Sequence, residues 1–260
     1  MSRDRPVAAD PWTALRALTP ARIALGRAGA SLPTEEVLRF GVAHAAARDA
    51  VHQPLDLDRL DAELRAGGWE TARAHSRARD RRMYLLRPDL GRRLWPESAE
   101  ALRDMRGAAA DKGADVDVCI VVADGLSSAG VQRHAAPLLA AFRAEAGSRF
   151  SLAPIVIAEQ ARVALGDEIG ELTKARLVAI LIGERPGLSS PDSLGVYLTY
   201  EPRVGRNDGE RNCISNVRPE GLKYDEAARK MAWLIGEALR QRLTGVALKD
   251  ASDRLIGGSP

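Results

Sequence analysis

The 260-residue sequence has only two cysteines, Cys119 and Cys213, which lie 94 positions apart with no CxxC spacing. Secreted domains rely on paired cysteines, so we expect a reduced, cytoplasmic protein. The four histidines show no HExxH or other ligand spacing, so the sequence predicts no metal site. No apolar run approaches the roughly 20 residues of a membrane span, and the start has no apolar signal core. We therefore expect no membrane attachment.

An excess of either charge is also lacking, because 38 basic and 35 acidic side chains leave a net charge of +3. That value is too small to imply a nucleic-acid partner. Arginines are concentrated in residues 73–93, which contain eight of them against two aspartates. This stretch is the best argument for nucleic acid, but a solvated helix face or a subunit contact is more usual. We predict no nucleic-acid partner.

The remaining composition is that of a globular protein, with 45% hydrophobic and 28% charged residues, which excludes wholesale disorder. Residues 1–110 contain helical patterns and no convincing strand pattern. Thr34 is expected to cap a helix that has Glu35 and Glu36 in its first turn. The apolar face of this helix would contain Val37, Phe40, Ala47 and Val51. Further helices are predicted over residues 56–64 and 98–105. Residues 1–110 are therefore predicted to form an N-terminal helical subdomain.

The pattern changes near residue 115. Short apolar or β-branched runs at residues 116–123, 154–158, 177–182 and 196–200 predict strands, with the first three buried on both sheet faces. Helical stretches at residues 129–146 and 166–175 separate them, and an amphipathic helix follows over residues 224–243. Alternating strands and helices indicate a parallel sheet. The predicted fold class is therefore α/β, with a Rossmann-like, mostly parallel sheet domain over residues 111–260.

Two loops follow predicted strands in this second domain. After residues 116–123, Gly125 and Gly130 have P-loop spacing but lack the Lys-Ser/Thr pair, so we prefer Asp124 or Ser127 as a helix cap. After residues 177–182, a Gly- and Pro-rich loop runs over residues 183–195, and loops of this length are often functional. Glu184 is its carboxylate acceptor. The alternative is a structural turn in which Glu184 pairs with Arg185 or another arginine.

A third polar segment, residues 201–222, contains four arginines and four acidic residues. Its neutral, Asn-rich composition is typical of a hydrogen-bonding surface for a protein or a large polar ligand. Cys213 lies within it, and a small buried hydrophobe is the ordinary role of such a cysteine. No Ser/His/Asp or Cys/His set can be nominated from spacing, so no catalytic residues are assigned.

The chain resembles the small (light) subunit of ethanolamine ammonia-lyase over roughly residues 11–250. The resemblance rests on six separated motifs in order: ALTPARIALGRAGASLPTEEVLRF, RPDLGRRL, DVCIVVADGLSSAGVQRHA, IGERPGLSSPDSLGVYLTY, RVGRNDGERNCISNVRPEGL and TGVALKD. It implies an adenosylcobalamin-dependent lyase that converts ethanolamine to acetaldehyde and ammonia. A barrel-type large subunit would contain the catalytic residues, with six copies of each chain in the complex. The small subunit would close over the cobalamin.

The same resemblance implies cobalamin contacts at Val163, Glu184 and Cys213. None of the four histidines fits the DxHxxG motif of cobalamin proteins that replace the cofactor's own base, so we expect a base-on cofactor. Relatives with an N-terminal extension are thought to enter a bacterial microcompartment. Here only about ten residues precede Asp10-Pro11, where a first short helix is predicted, and they show no amphipathic period. A cytoplasmic location is therefore equally compatible. The alternative function is a non-catalytic nucleotide-binding or regulatory module.

Overall fold

The computed structural model describes residues 10–110 and 116–252. The helices are α1 (Thr34–His52), α2 (Leu57–Ala66), α3 (Arg81–Leu86), α4 (Pro96–Ala110), α5 (Ser128–Ala146), α6 (Leu165–Thr173) and α7 (Tyr224–Gln241). The strands are β1 (Thr71–His75), β2 (Val118–Ala123), β3 (Ile155–Glu159), β4 (Leu177–Gly183), β5 (Leu194–Tyr200) and β6 (Asn212–Val217). Short 3₁₀ helices lie at Thr13–Leu18, Leu90–Arg92, Asp208–Glu210 and Gly245–Ala247.

All six strands belong to one sheet, in the order β1-β3-β2-β4-β5-β6. The first four in this order pair in parallel, and β5 and β6 are antiparallel additions. Helix α5 supplies the crossover from β2 to its neighbour β3, and α6 supplies the crossover from β3 past β2 to β4, since parallel strands need such connections. The predicted α/β class and mostly parallel sheet are confirmed.

Helices pack on both faces of this sheet. On one face α2, α5 and α7 contribute fully buried side chains such as Leu60, Phe142 and Ile235. On the other face α4 and α6 contribute Leu102 and Ile169. All side chains of β2 and β4 are consequently buried, which explains their unbroken apolar sequences.

The expectation of no strand before residue 115 is wrong, because β1 (Thr71–His75) joins the sheet edge beside β3. Its sequence TARAH has no apolar run, and only Ala74 is buried. The exposed Arg73 instead forms ion pairs with Asp58 and Asp61 on α2. An edge strand supported by charge pairs gives little hydrophobic signal. Residue 111, where the predicted domains divide, lies outside the described residues.

The polar segment 201–222 contains a strand that the sequence reasoning missed. In β6 only Ile214 and Val217 are buried, so its pattern is too weak to predict a strand. The neighbouring strand β5 was predicted, and it runs antiparallel to β4. Residues 184–193 between them form a loop without a crossover helix, and such a connection suits antiparallel strands.

Helix α1 is present, but the prediction that Thr34 caps it is wrong, because Thr34 is its first helical residue and Pro33 occupies the cap position without a side-chain hydrogen bond. The expected apolar face of α1 is not covered either. The side chains of Val37 and Phe40 are 52% and 49% exposed, and Ala50 is the buried residue of the helix. The preceding 3₁₀ helix also exposes Leu18. Residues 10–42 thus contain eight exposed apolar side chains, which we name together the N-terminal apolar surface: Trp12, Leu15, Leu18, Leu32, Val37, Leu38, Phe40 and Val42. Over the described ranges, no helix has the length and apolar character needed to cross a membrane.

We expect Gly125→Ala to destabilise the fold more than Gly147→Ala. Both glycines have positive φ, +58° and +55°, so either substitution should cost about 1–3 kcal/mol in backbone strain. A Cβ at Gly125 would also overlap the Gly183 carbonyl oxygen, whereas one at Gly147 would meet nothing within 4 Å. Overlap adds about 1–3 kcal/mol. Chemical denaturation measures both losses, and equal losses would contradict this packing.

Candidate functional site

The candidate site lies at the carboxyl edge of the parallel strands. The crossover from β2 to β3 through α5 and the crossover from β3 to β4 through α6 run in opposite directions along the sheet and pack on opposite faces of it. In open α/β sheets, ligands bind at this switch point, outside the carboxyl ends of the strands. Three loops meet there, with residues 124–127 after β2, 160–164 after β3 and 184–193 after β4.

Asp124, the residue that follows β2, connects the first two loops. Its buried carboxylate accepts hydrogen bonds from the backbone N–H groups of Gly125, Gln160 and Ala161 at 2.9–3.0 Å. Arg81 lies 3.6 Å away. Burial nevertheless raises the pKa of Asp124 to about 6, because these favourable interactions do not fully offset the loss of hydration.

Helix α3 adds an aromatic ring, Tyr84, that two guanidinium groups contact. The carbon Cζ of Arg81 lies 4.6 Å from the centroid of the Tyr84 ring, and that of Arg162 lies 4.0 Å from it. Arg81 also donates to the carbonyl oxygens of Val51 and Gly125. These contacts fix α3 and the end of α1 to the carboxyl edge of the sheet.

A cavity of about 420 Å³, which we name the central cavity, opens between the three loops. Val163 and Glu184, two residues implied by the family resemblance, both line it. Tyr84, Arg162 and Tyr197 are further lining residues. Val163 follows β3 and Glu184 follows β4, so the fold brings together residues that lie 21 positions apart in the sequence.

Glu184 does not form the ion pair of the structural alternative. Its Oε2 accepts a hydrogen bond from the backbone N–H of Asn216 at 3.1 Å, and no arginine or lysine among the described residues pairs with it. Gly195 permits this placement, because a Cβ there would lie 3.1 Å from Glu184 Oε1 and 3.3 Å from the Tyr197 ring. Oxygen Oε1 therefore has an acceptor position left for a ligand.

Cys213 lies beside the central cavity without lining it. It faces Tyr197 in the β5–β6 pair and is exposed, so the expectation of a small buried hydrophobe is wrong. Burial raises the pKa of Tyr197, and the neighbouring Cys213 and Glu184 raise it further. The Tyr197 ring is thus the common neighbour of Glu184 and Cys213.

The loop of residues 184–193 is held in place by contacts with α5 and its N-cap residue. Ser127 accepts a hydrogen bond from the Gly130 N–H, which confirms the predicted cap, and donates its own hydroxyl hydrogen to Pro191 O at 2.8 Å. Arg133 forms an ion pair with Asp192 at 2.5 Å. The start of the loop is fixed by a backbone hydrogen bond from Glu184 N to Ser193 O. The loop that contains Glu184 is therefore held in place by defined hydrogen bonds and an ion pair.

A second cavity, of about 600 Å³, adjoins the first and shares Arg162 and Val163 with it. We name it the arginine cavity. One wall is residues 204–211, which a buried ion pair fixes to α6: Arg211 donates to both carboxylate oxygens of Asp167 at 2.5 and 2.7 Å. Arg211 also donates to Thr199. The bidentate geometry orients the segment that leads into β6 and Cys213.

Sequence reasoning missed Arg162, Tyr84 and Tyr197. Tyr197 was placed in a predicted strand. The alternation of side chains along a strand assigns it to one sheet face but does not show that a cavity borders that face. Arg162 and Tyr84 lie in stretches with no recognisable spacing, and only the packed structure brings them together. Among residues 10–110 and 116–252, no three His, Cys, Asp or Glu side chains are grouped as metal ligands.

Together these features define an α/β protein whose candidate ligand site is a polar cavity pair at the carboxyl edge of its sheet. The profile of the ethanolamine ammonia-lyase light chain (EutC) matches residues 9–249. The chain belongs to this family.

Curated relatives support the same assignment. The ethanolamine ammonia-lyase small subunit of Azotobacter vinelandii is 58% identical over 254 residues, which cover 97% of this chain and 93% of the relative. The small subunit of Ralstonia nicotianae is 59% identical over 248 residues, covering 95% and 91%. That of Xanthomonas campestris pv. campestris is 57% identical over 251 residues, covering 96% and 91%.

The raised pKa of Asp124 predicts a specific dependence of stability on pH. In the folded protein the pKa is about 6, against an ordinary value of 3.8, so the folded state binds this proton more tightly than the unfolded chain. Its contribution to the free energy of unfolding is full below about pH 3.8, is partly present at pH 5 and is lost as the pH rises through about 6 toward 7. The difference is about 1 kcal/mol.

Asp124→Asn removes this contribution and leaves a backbone N–H without its acceptor, so it should destabilise the protein at both pH values. The gap between wild type and Asp124→Asn should be larger at pH 5 than at pH 7, as measured by denaturation. Asp104→Asn, at an exposed position on α4, is the control and should show no such change. A gap that is constant or larger at pH 7 would contradict the raised pKa.

Proposed function

We propose that this chain is the small subunit of an adenosylcobalamin-dependent ethanolamine ammonia-lyase, which converts ethanolamine to acetaldehyde and ammonia. In this proposal the chain closes over a base-on cobalamin held between it and a large subunit that contains the catalytic residues. Family membership supports the reaction. The central structural observation is that Val163 and Glu184 line one cavity, with Cys213 next to its Tyr197 wall.

The residues around the central cavity fit a corrin ring. Its rim has amide groups, which can donate a hydrogen bond to the remaining acceptor position on Glu184. Val163 and the Tyr197 ring offer apolar contact surface, and Cys213 is exposed beside them. When bound, the cofactor supplies the radical chemistry, and the protein positions it.

A base-on cofactor agrees with the placement of the histidines. His44, His52, His75 and His134 are all described, and none of them lines either cavity. His134 Nδ1 instead lies 2.8 Å from the Tyr224 hydroxyl, on the sheet face that α5 and α7 cover. We infer that this chain provides no histidine ligand to cobalt and that the cofactor keeps its own base.

The large subunit would contact the N-terminal apolar surface. Leu18 and Val42 are 81% and 71% exposed, and Trp12 is 63% exposed. Apolar patches of this kind commonly mark protein interfaces. In this proposal, residues 1–110 form a mainly helical subdomain that contacts the large subunit, and residues 111–260 form a Rossmann-like domain that contacts cobalamin. Strand β1 of the first part joins the sheet of the second. Six copies of each chain and residence in the cytoplasm or a microcompartment follow from the family resemblance.

We expect the isolated chain to be inactive with ethanolamine and adenosylcobalamin, and to become active when it is assembled with a large subunit of the family. The reason is that no catalytic set is assigned to this chain, so its contribution is to binding and positioning. Acetaldehyde production measures activity in both samples. Turnover by the isolated chain would contradict the division of roles, and a chain that never assembles would favour the regulatory alternative.

Glu184→Ala should weaken cobalamin binding by about ten- to hundredfold, the effect of losing a hydrogen bond to a charged group of about 1.5–3 kcal/mol. Equilibrium dialysis of the assembled complex measures the dissociation constant, with assembly checked by gel filtration. Glu226→Ala, at an exposed position on α7, is the matched control and should bind like wild type. An assembled Glu184→Ala complex within about twofold of wild type would show that Glu184 is only structural.

A further inference from the structure

Two hydrogen bonds orient Glu184, and they come from two different segments of the chain. The backbone N–H of Glu184 donates to Ser193 O at 3.0 Å, and its Oε2 accepts from the Asn216 N–H at 3.1 Å. Ser193 directly precedes β5, whereas Asn216 lies near the end of β6. The orientation of Glu184 therefore depends on how these two segments are placed.

The first segment packs closely against α5. A Cβ at Gly130 would lie 2.6 Å from Ser193 O and 2.9 Å from Asp192 O, so only a glycine allows this approach of the two backbones. His134 lies one turn further along the same helix face, and its Nε2 is 3.8 Å from Asp192 Oδ2. Helix α5 thus presents Gly130 and His134 to the same end of the loop.

The second segment runs from Asn216 to Tyr224, the first residue of α7. The Leu222 N–H donates to Asn216 O, and the Arg218 N–H donates to Leu222 O, so backbone hydrogen bonds close the turn between β6 and α7. The Tyr224 hydroxyl then lies 2.8 Å from His134 Nδ1. The two ring nitrogens of His134 therefore face the two segments that orient Glu184.

His134 is buried between these segments, with 6% of its side chain exposed. The charged groups that act on it are Asp192 in the loop, Arg133 on α5 and Glu220 in the turn before α7. Burial lowers the pKa of His134 below its ordinary value of 6.5 and outweighs the opposing effect of Asp192. The imidazole is consequently neutral at pH 7.

The partners of a neutral imidazole determine which nitrogen carries the hydrogen. Asp192 forms an ion pair with Arg133 at 2.5 Å, so its carboxylate is ionised and can only accept. The hydrogen is therefore on Nε2 of His134, which faces this carboxylate, and Nδ1 accepts from the Tyr224 hydroxyl. At 3.8 Å the contact with Asp192 is an electrostatic attraction and not a hydrogen bond, and Nε2 has no other partner among the described residues.

We propose that His134 is a positioning residue for cobalamin binding, which holds Asp192 and Tyr224 and, through them, the two segments that orient Glu184. The inference rests on the proposed function, because it requires Glu184 to contact the cofactor. His134 lines neither the central cavity nor the arginine cavity. Its effect on affinity must therefore pass through Glu184.

A double-mutant cycle on the assembled complex, with cyanocobalamin as the probe, tests this dependence. His134→Leu should weaken binding by about three- to tenfold. In a Glu184→Ala background the same change should weaken binding by less than about twofold, because no carboxylate is left to orient. His134→Gln should restore most of the affinity, since its amide can still donate to Asp192. His52→Leu, at the exposed end of α1, is the control and should bind like wild type.

Tyr224→Phe provides a second test that does not depend on how well His134→Leu assembles, because it keeps the ring and removes only the hydroxyl. It should also weaken binding, and again only when Glu184 is present. An equal loss with and without Glu184, or no loss in either background, would overturn the proposal and leave the proposed function intact. A Glu184→Ala complex that binds like wild type would contradict the proposed cofactor contact and, with it, this role of His134.

Discussion

Asp124 accepts backbone hydrogen bonds from Gly125 in its own loop and from Gln160 and Ala161 in the next. This buried carboxylate therefore sets the distance between the loops that follow β2 and β3. Both cavities border the second of these loops, and both contain Arg162 and Val163. Arg81, 3.6 Å from Asp124, extends the connection to α1 through the Val51 carbonyl oxygen. The shape of the candidate site thus depends on one desolvated acidic side chain.

The site combines groups that suit binding and orientation. Glu184 offers a carboxylate oxygen, Val163 and Tyr197 offer apolar surface, and Arg162 offers an unused donor. Tyr197 lies in strand β5, and the other groups lie on loops beside α5 and the Asp167–Arg211 ion pair, so little ordering is needed when a ligand binds. In the proposed function, the rigid loops would face the cofactor and the separate apolar surface would contact the large subunit, which is the division of roles that we propose for this chain.

Much of this fold was accessible from the sequence. Strands β2, β3 and β4 are buried on both faces, so their apolar runs predicted them, and the helices between them predicted the parallel sheet. Strands β1 and β6 lie at the two edges, where Arg73 pairs with acids and the polar residues of β6 face outward, so neither produced a pattern. Glu184 and Val163 came from the family resemblance. The sequence did not predict Tyr197, Tyr84 and Arg162 as site residues. Long-range packing places them there, and no local sequence pattern indicates it.

The central claim is that one edge of this sheet faces the cofactor. Hydrogen–deuterium exchange on the complex with the large subunit, measured with and without cyanocobalamin, tests that claim most directly. Protection is expected in the loops of residues 124–127, 160–164, 184–193 and 204–211, with α2, α5 and α7 unchanged. Protection confined to those helices, or none in the four loops of a complex that binds the corrinoid, would contradict it.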